Sequence, residues 1–391
     1  MTVSNRRVWV KCDKLFTPSR QFEECLLQIS DGMIVEIVHG PVDLAAGTVP
    51  LIHEAGALVA PGFIDLHVHG ARGRDLMDGT LESLQTVAET LARHGTTSFL
   101  ATTLSAPDSD TEEAICGFAN NHAKVDSGAI PFGLHLEGPY LNPLRKGTHN
   151  ADYLKLPEID QLRRFVTLSG NKVLKITVAP ELEKAISLIR GAAGMGIRIS
   201  IGHSDATEAE ARAAVEAGAT QATHVFNAMR PLHQREPGIL GFVLTDGRVS
   251  AEVIADGIHV HPTMLKMLLR LKGIDRTILI TDGLSAVDMP EGTYPLGDKF
   301  VTIEGGACRD ADGVLSGSIL TLDTAVRNLV NWLDVPICEA LTAASGTPAK
   351  SMGLDRKGII APGADADLVF LDQHLQVVKT MVGGRIVYCR K

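Results

Sequence analysis

What most constrains this chain is a regular alternation through its middle, in which short apolar, β-rich runs are separated by stretches with helical character. Eight runs can be counted: GFIDLHVHG, TSFLATT, IPFGLHLEG, LKITVAP, IRISIGH, ATHVFN, SAEVIADG and TILITDG. LESLQTVAETLARHG follows the first, ELEKAISLIRGAAG the fourth and EAEARAAVEAG the fifth, while HPTMLKMLLRLKG lies between the last two. Strands that alternate with helices pair in parallel. Eight such units over roughly 250 residues predict a (β/α)8 barrel, a TIM-like α/β fold. An open doubly wound sheet is the alternative, disfavoured by the polar residues at so many run ends.

Both ends of the chain read differently. Residues 1–60 contain RVWVKCD, CLLQISDGMIVEIV and HEAGALVAPG, with Asp31-Gly32 as a hairpin turn. Residues 358–391 contain ADLVFLD and LQVVKTMVGGRIVY, with Gly383-Gly384 in the same role. Chain termini often lie close together, so residues 1–60 plus 358–391 are expected to form one small sheet domain beside a barrel spanning 61–357, the alternative being two unrelated β-appendages.

The net charge of -9 and an aromatic content of 4% argue against nucleic acid or an anionic membrane surface as a partner. No apolar run reaches about 18 residues, so a membrane span is not expected. The start, MTVSNRRVWVKCD, lacks the apolar stretch of a signal peptide. Cys12, Cys25, Cys116, Cys308, Cys338 and Cys389 contain no CxxC pair and do not resemble a disulfide framework. A reducing cytoplasm is the expected location.

Polar groups gather where each run stops being apolar. His67 and His69 end the first run, His135 and Glu137 the third and His203 the fifth; His224 lies in the sixth and Asp282 ends the eighth. In a barrel of this kind those ends surround one mouth. Residues i and i+2 of a strand share a face, so His67 and His69 point together. Imidazole and carboxylate are ordinary ligands of Zn²⁺ and Fe²⁺. The HxH pair alone reads equally well as two solvated histidines; joined by Glu137, His203, His224 and Asp282 it reads as a metal centre. Glu137 has two oxygens with which to bridge two cations. His135 lies a layer deeper and is expected to be a buried, hydrogen-bonded supporter. Asp282 is either a helix N-cap in an Asp-Gly turn or, beside a metal, the group that takes a proton from attacking water and passes it to a leaving group.

Further stretches look like ligand grips, with His259 reading more plainly as a solvated loop histidine and Arg235 as a surface salt bridge. His259 sits in ADGIHVHP, Asn227 and Ala228 follow the sixth run, and Arg235 follows in REPG. The loop KGTHN brings Thr148 and His149 within reach of the mouth.

Taken together, PGFIDLHVHG, GLHLEGPYLN, KGTHN, IGHSDAT, THVFNAMRPLHQREPG, ADGIHVHP, ITDG and LSGSILTLDTAVRN resemble the amidohydrolase superfamily. More closely they are similar to the N-acetylglucosamine-6-phosphate deacetylases and their N-acetylgalactosamine-6-phosphate relatives, whose small flanking β-sandwich domain the β-rich ends, 1–60 plus 358–391, also match. The resemblance implies that Glu137, His203 and His224 hold the main metal, and that His67 and His69 with Glu137 hold a second. One or two divalent ions per subunit are implied, Zn²⁺ first, with Fe²⁺ or another divalent ion as the alternative. It implies Asp282 as the catalytic acid/base and His149 as the group that polarises the acetyl carbonyl. Thr148, Asn227, Ala228, Arg235 and His259 would grip the sugar phosphate, with Leu315, Ser316 and Gly317 lining the pocket. In that family the arginine matching Arg235 can reach a neighbouring subunit's site, which implies a homodimer. Other readings are a cyclic-amidase or deaminase of the same superfamily, the former disfavoured because Glu137 stands where a carboxylated lysine would, and a non-catalytic metal-binding scaffold.

Overall fold

The computed structural model describes residues 7–17, 20–40 and 51–391. Eight strands form one parallel sheet: β1 (Phe63–Val68), β2 (Thr96–Thr103), β3 (Ile130–Glu137), β4 (Val173–Val178), β5 (Arg198–Ile201), β6 (Gln221–Ala222), β7 (Ser250–Ile254) and β8 (Thr277–Ile280). They pair in sequence order, and the ends meet where Asp282 N–H donates to His67 C=O at 2.9 Å and His69 N–H to Gly283 C=O at 2.8 Å. This is the expected barrel, closed at its C-terminal rim.

The seam between β1 and β8 has no regular ladder. The buried Asp65 carboxylate spans it instead, accepting from the Thr281 hydroxyl at 2.6 Å and from the His67 N–H at 3.2 Å. Burial pushes the Asp65 carboxyl up to about 6, against these donors.

Each barrel strand is followed by a helix: α1 (Leu81–Arg93), α2 (Asp108–Asn121), α3 (Ile159–Leu168), α4 (Ala185–Gly194), α5 (Glu208–Ala217), α6 (Gly238–Thr245), α7 (Pro262–Lys272) and α8 (Leu322–Leu333). In α1 the buried Leu84, Val87, Ala88 and Leu91 fall at i, i+3, i+4 and i+7, one stripe against the barrel. Thr80 caps it, accepting from the Ser83 N–H at 3.1 Å. In α5 Thr207 and Glu210 form a reciprocal capping box.

The sixth run departs from expectation. Only Gln221–Ala222 is strand; Thr223 to Asn227 turn, with positive φ at His224 (29°) and Phe226 (83°). Val225 N–H donates to Glu252 C=O at 2.8 Å, so β7 holds the turn from below.

Strands from both termini build one separate sheet, in the order Arg385–Cys389, Val377–Val382, Leu368–Leu371, Leu58–Pro61, Arg7–Phe16, Gln21–Ser30, Met33–His39, with Leu51–His53 also beside Arg7–Phe16. The strands next to the barrel alternate between two cores. Val59, Leu368 and Phe370 enter the sheet's own cluster, while Leu58, Ala60, Val369 and Leu371 pack into the barrel's. That two-sided burial explains why ADLVFLD reads as continuously apolar. Asp31 and Gly32 join two strands with φ of 51° and 79°, a two-residue hairpin turn. Residues 1–6, 18–19 and 41–50 of the N-terminal span lie outside the described residues.

Between β8 and α8 the chain inserts a three-stranded antiparallel sheet, Gly292–Leu296, Lys299–Glu304 and Ala307–Asp310. Leu284, Leu296, Val301, Ile303 and Cys308 form its own small core. Its first hairpin reaches the β3–α3 loop: Lys299 Nζ donates to Thr148 C=O at 3.0 Å, and Asn150 Nδ2 to Asp298 Oδ2 at 2.8 Å.

Candidate metal centre and active site

Glu137, the last residue of β3, is the hub. One oxygen, Oε1, lies 3.2 Å from His203 Nε2 and 3.1 Å from His224 Nε2, which are 3.0 Å from each other. The other, Oε2, lies 3.3 Å from His67 Nε2 and 3.2 Å from His69 Nε2, which are 3.2 Å apart. Asp282 Oδ1 completes the second group at 3.4 Å from His67 and 3.2 Å from His69. All six side chains are buried or nearly so.

The packing brings imidazole nitrogens and carboxylate oxygens together around two points. His203 Nδ1 is 2.9 Å from the Arg145 carbonyl, which can only accept. Nδ1 of His203 therefore carries a hydrogen, and Nε2 is the ring atom turned to the carboxylate oxygen. An Nε2 lone pair facing a carboxylate oxygen needs a positive charge between them, which a metal ion supplies. A tetrahedral ion bound at ~2.0–2.1 Å sets its donor atoms about 3.3 Å apart, and both groups hold their donors at 3.0–3.4 Å. The carboxylates state the same demand. Burial alone would lower the histidines, but Glu137 and Asp282 outweigh it and push His67 up to about 9 and His69 to about 10. Against their own burial, His67 and its neighbours hold Glu137 well below the usual carboxylate range and Asp282 at about 2. The site is built for positive charge, and the donor set fits divalent cations.

Three of these residues share a local device. His203, His224 and Asp282 each stand two residues beyond a strand end, with φ of 48°, 29° and 51°. Left-handed backbone at a non-glycine residue is unfavourable and concentrates at functional sites. Here it turns each side chain inward over the mouth just as the strand stops.

His149 is buried beside the same hub, its Nε2 3.4 Å from Glu137 Oε2. The Ser105 N–H donates to its Nδ1 at 3.3 Å, and the Ser105 hydroxyl lies 2.9 Å from the same atom. With Nδ1 accepting, the hydrogen is on Nε2. Burial lowers the ring to about 4, so at neutral pH it is an uncharged donor aimed at the centre. His135 takes the supporting position expected of it, 2.8 Å from the Thr177 hydroxyl and 3.4 Å from that of Thr102, and burial pushes it well down.

A cavity of about 320 Å³ opens onto this centre. Of the residues expected at the site, His69, Glu137, Thr148, His149, His203, His224, Asn227, Ala228, His259, Asp282, Leu315 and Gly317 line it. His67 lies beneath, fully buried. Ser316 is buried and turned aside, its hydroxyl donating to Val314 C=O at 3.2 Å. Arg235 stands outside the cavity in an exposed segment running from Pro231 to Glu236. Sequence reading missed the groups that aim these side chains: Ser105 for His149, the Arg145 carbonyl for His203, and Asp256, whose Oδ2 is 2.6 Å from His259 Nδ1. It also missed Leu104, Leu144, Leu284, Leu296 and Val314, which with Leu315 give the wall its large apolar side chains.

A closed parallel barrel with histidines and carboxylates converging at its C-terminal rim defines a metal-dependent barrel of hydrolase type. Residues 58–387 match the model of the amidohydrolase family, and the chain belongs to that family, which is metal-dependent. It is 38% identical over 366 residues to the N-acetylglucosamine-6-phosphate deacetylase of Lysinibacillus sphaericus, covering 93% of each chain. It is 37% identical over 378 residues to the N-acetylgalactosamine-6-phosphate deacetylase of Escherichia coli O157:H7, covering 96% of this chain and 98% of that one. Among solved structures, an aspartate-to-alanine mutant of N-acetyl-D-glucosamine-6-phosphate deacetylase from Mycobacterium smegmatis, in complex with N-acetyl-D-glucosamine-6-phosphate, superposes with a TM-score of 0.91. That pair is 31% identical, covering 97% of this chain and 99% of the other. No helix among the described residues is long and apolar enough to cross a membrane.

Proposed function

We propose that this chain hydrolyses the acetamide of an N-acetylhexosamine 6-phosphate, giving acetate and an amino-sugar phosphate. The observation that carries the reading is the presence, in one cavity, of a carboxylate–histidine centre fit for divalent metal and a neutral imidazole whose Nε2–H faces it. The choice of substrate rests on relatives matched over nearly their whole length.

Glu137, His203 and His224 are the residues we assign to the main metal, and His67 and His69 with Glu137 to a second. The ligand chemistry favours Zn²⁺, with Fe²⁺ as the alternative. A divalent ion bound there activates water and polarises the amide carbonyl. His149 donates its Nε2–H to the oxygen on which negative charge develops. Asp282, nearly closed off from solvent and held as a carboxylate, takes the proton of the attacking water and returns it to the departing amine, since an amide anion is too basic to leave. Thr148, Asn227, Ala228 and His259 grip the sugar phosphate, with Leu315 and Gly317 shaping the wall and Ser316 buried behind them. Arg235 serves the pocket of a neighbouring subunit in a homodimer, a reading supported by its exposure away from its own cavity. The cytoplasm is the compartment we assign, consistent with six cysteines that are all free thiols.

Steady-state kinetics on N-acetylglucosamine 6-phosphate and N-acetylgalactosamine 6-phosphate, with metal analysis of the same sample, test the reading. Hydrolysis of neither substrate by metal-replete protein would overturn it.

A further inference from the structure

Below the mouth, the barrel interior holds one ion pair that the reaction above does not use. Lys175 on β4 and Glu252 on β7 have no exposed surface at all, and the lysine ammonium contacts Glu252 Oε1 directly. Charges this deep are costly to bury, and each is tolerated only because the other is there. Lys175 Nζ also donates to Leu66 C=O at 3.3 Å, gripping the β1 backbone one residue before His67.

The other carboxylate oxygen, Glu252 Oε2, has no hydrogen-bond partner, and neither does His67 Nδ1. These two buried atoms lie 3.8 Å apart, the ring nitrogen facing the oxygen. One is a potential donor and the other an acceptor. The gap is under an ångström beyond a hydrogen bond, within reach of a small tilt of the ring. Among the described residues, the other imidazoles of the centre have no carboxylate as close to Nδ1: His203 Nδ1 meets the neutral Arg145 carbonyl, and Nδ1 of His69 and of His224 have no hydrogen-bond partner.

We propose that Glu252, paired with Lys175, is the positioning residue of His67 and thereby governs occupancy of the second metal position. With its hydrogen on Nδ1 and directed at Glu252, the ring presents the Nε2 lone pair to His69 Nε2 and Glu137 Oε2 above it. A carboxylate behind an imidazole also makes the ring a stronger ligand. Neither side chain of the pair has a hydrogen bond or ion pair with Glu137, His203 or His224, and Glu252 meets that position only through its backbone carbonyl, which accepts from the Val225 N–H, so the two positions differ in the side chains that support them from below. This inference rests on the functional reading in requiring a metal centre, and adds a residue that sets its stoichiometry.

The test is the number of Zn²⁺ equivalents retained against a competing chelator, measured by elemental analysis on the folded full chain. Glu252→Gln keeps the shape of the side chain and removes its charge; the expected result is one equivalent held as in the unmodified protein and a second weakened about 10–100-fold. Leaving Lys175 unpaired in that variant endangers folding, so Lys175→Met/Glu252→Leu is measured beside it. Removing both charges together is well tolerated in buried pairs, and the same selective loss is expected. Either folded variant holding its second equivalent with undiminished affinity would overturn the proposal, as would equal weakening of both equivalents, the mark of a merely structural role. An unmodified protein that takes up one equivalent at saturating Zn²⁺ would overturn it too, while leaving deacetylation standing. An unmodified protein that holds two equivalents and hydrolyses neither sugar phosphate would sink the functional reading and not this one.

Discussion

His149→Leu separates two roles that geometry alone leaves side by side. His149 Nε2 lies 3.4 Å from Glu137 Oε2, and by distance it groups with Glu137 and His203 as a third metal donor. The hydrogen bond from the Ser105 N–H to Nδ1 argues otherwise, because it leaves Nε2 protonated and unable to ligate. A single preorganised donor to a developing oxyanion is worth about 2.7–4 kcal/mol, so its loss should lower kcat about 10²–10³-fold. Leucine fills most of the volume but leaves the Ser105 hydroxyl, bonded to the ring at 2.9 Å, without its partner. That costs about 1–3 kcal/mol of stability, too little to unfold a barrel of this size. The assays are kcat on both sugar phosphates, bound metal by elemental analysis, and a denaturant melt. The expected outcome is a kcat loss in that range with metal content unchanged. Loss of a metal equivalent would refute the tautomer argument and make His149 a ligand; unchanged kcat would remove it from catalysis.

The other predictions rest on neighbouring residues. Asp282→Asn should lower kcat by at least about 10³-fold through loss of the proton acceptor, with the equivalent held by Glu137, His203 and His224 retained; turnover within a few-fold of the unmodified chain would exclude the assigned role. Glu137→Gln removes the carboxylate that touches every imidazole of the centre, so both metal equivalents and all turnover should be lost together, as elemental analysis would register. His94 carries a pH prediction away from the active site. Its two ring nitrogens face Asp288 at 2.9 Å and Asp323 at 3.2 Å, and these carboxylates, outweighing burial, push it up to about 9. A folded-state value above the unfolded 6.5 means its stabilisation is complete below pH 6.5 and lost as pH rises toward 9. The loss is at most about 3 kcal/mol. In His94→Gln the slope of stability against pH over that window should flatten, and an unchanged slope would contradict the account.

The parts of this site legible in the sequence are those where an abrupt change of chemistry ends a periodic pattern. His67, His69, Glu137, His203 and Asp282 could be picked out because apolar runs stop at them, and strand ends in a parallel barrel share one rim. The inward turn of His203, His224 and Asp282 was not legible, since left-handed φ at a histidine or aspartate has no glycine to announce it. Nor were Ser105 and Asp256, because a tautomer is fixed by whatever the fold brings to the second ring nitrogen. One signal was present and went unread. Lys175 interrupts LKITV and Glu252 interrupts SAEVI, each the one charge inside its own apolar barrel strand. A charge in that position must find a partner: Asp65 in the first run takes the Thr281 hydroxyl, and Lys175 and Glu252 take each other. The same reasoning that located the rim therefore reaches one layer deeper, to the pair on which His67 rests.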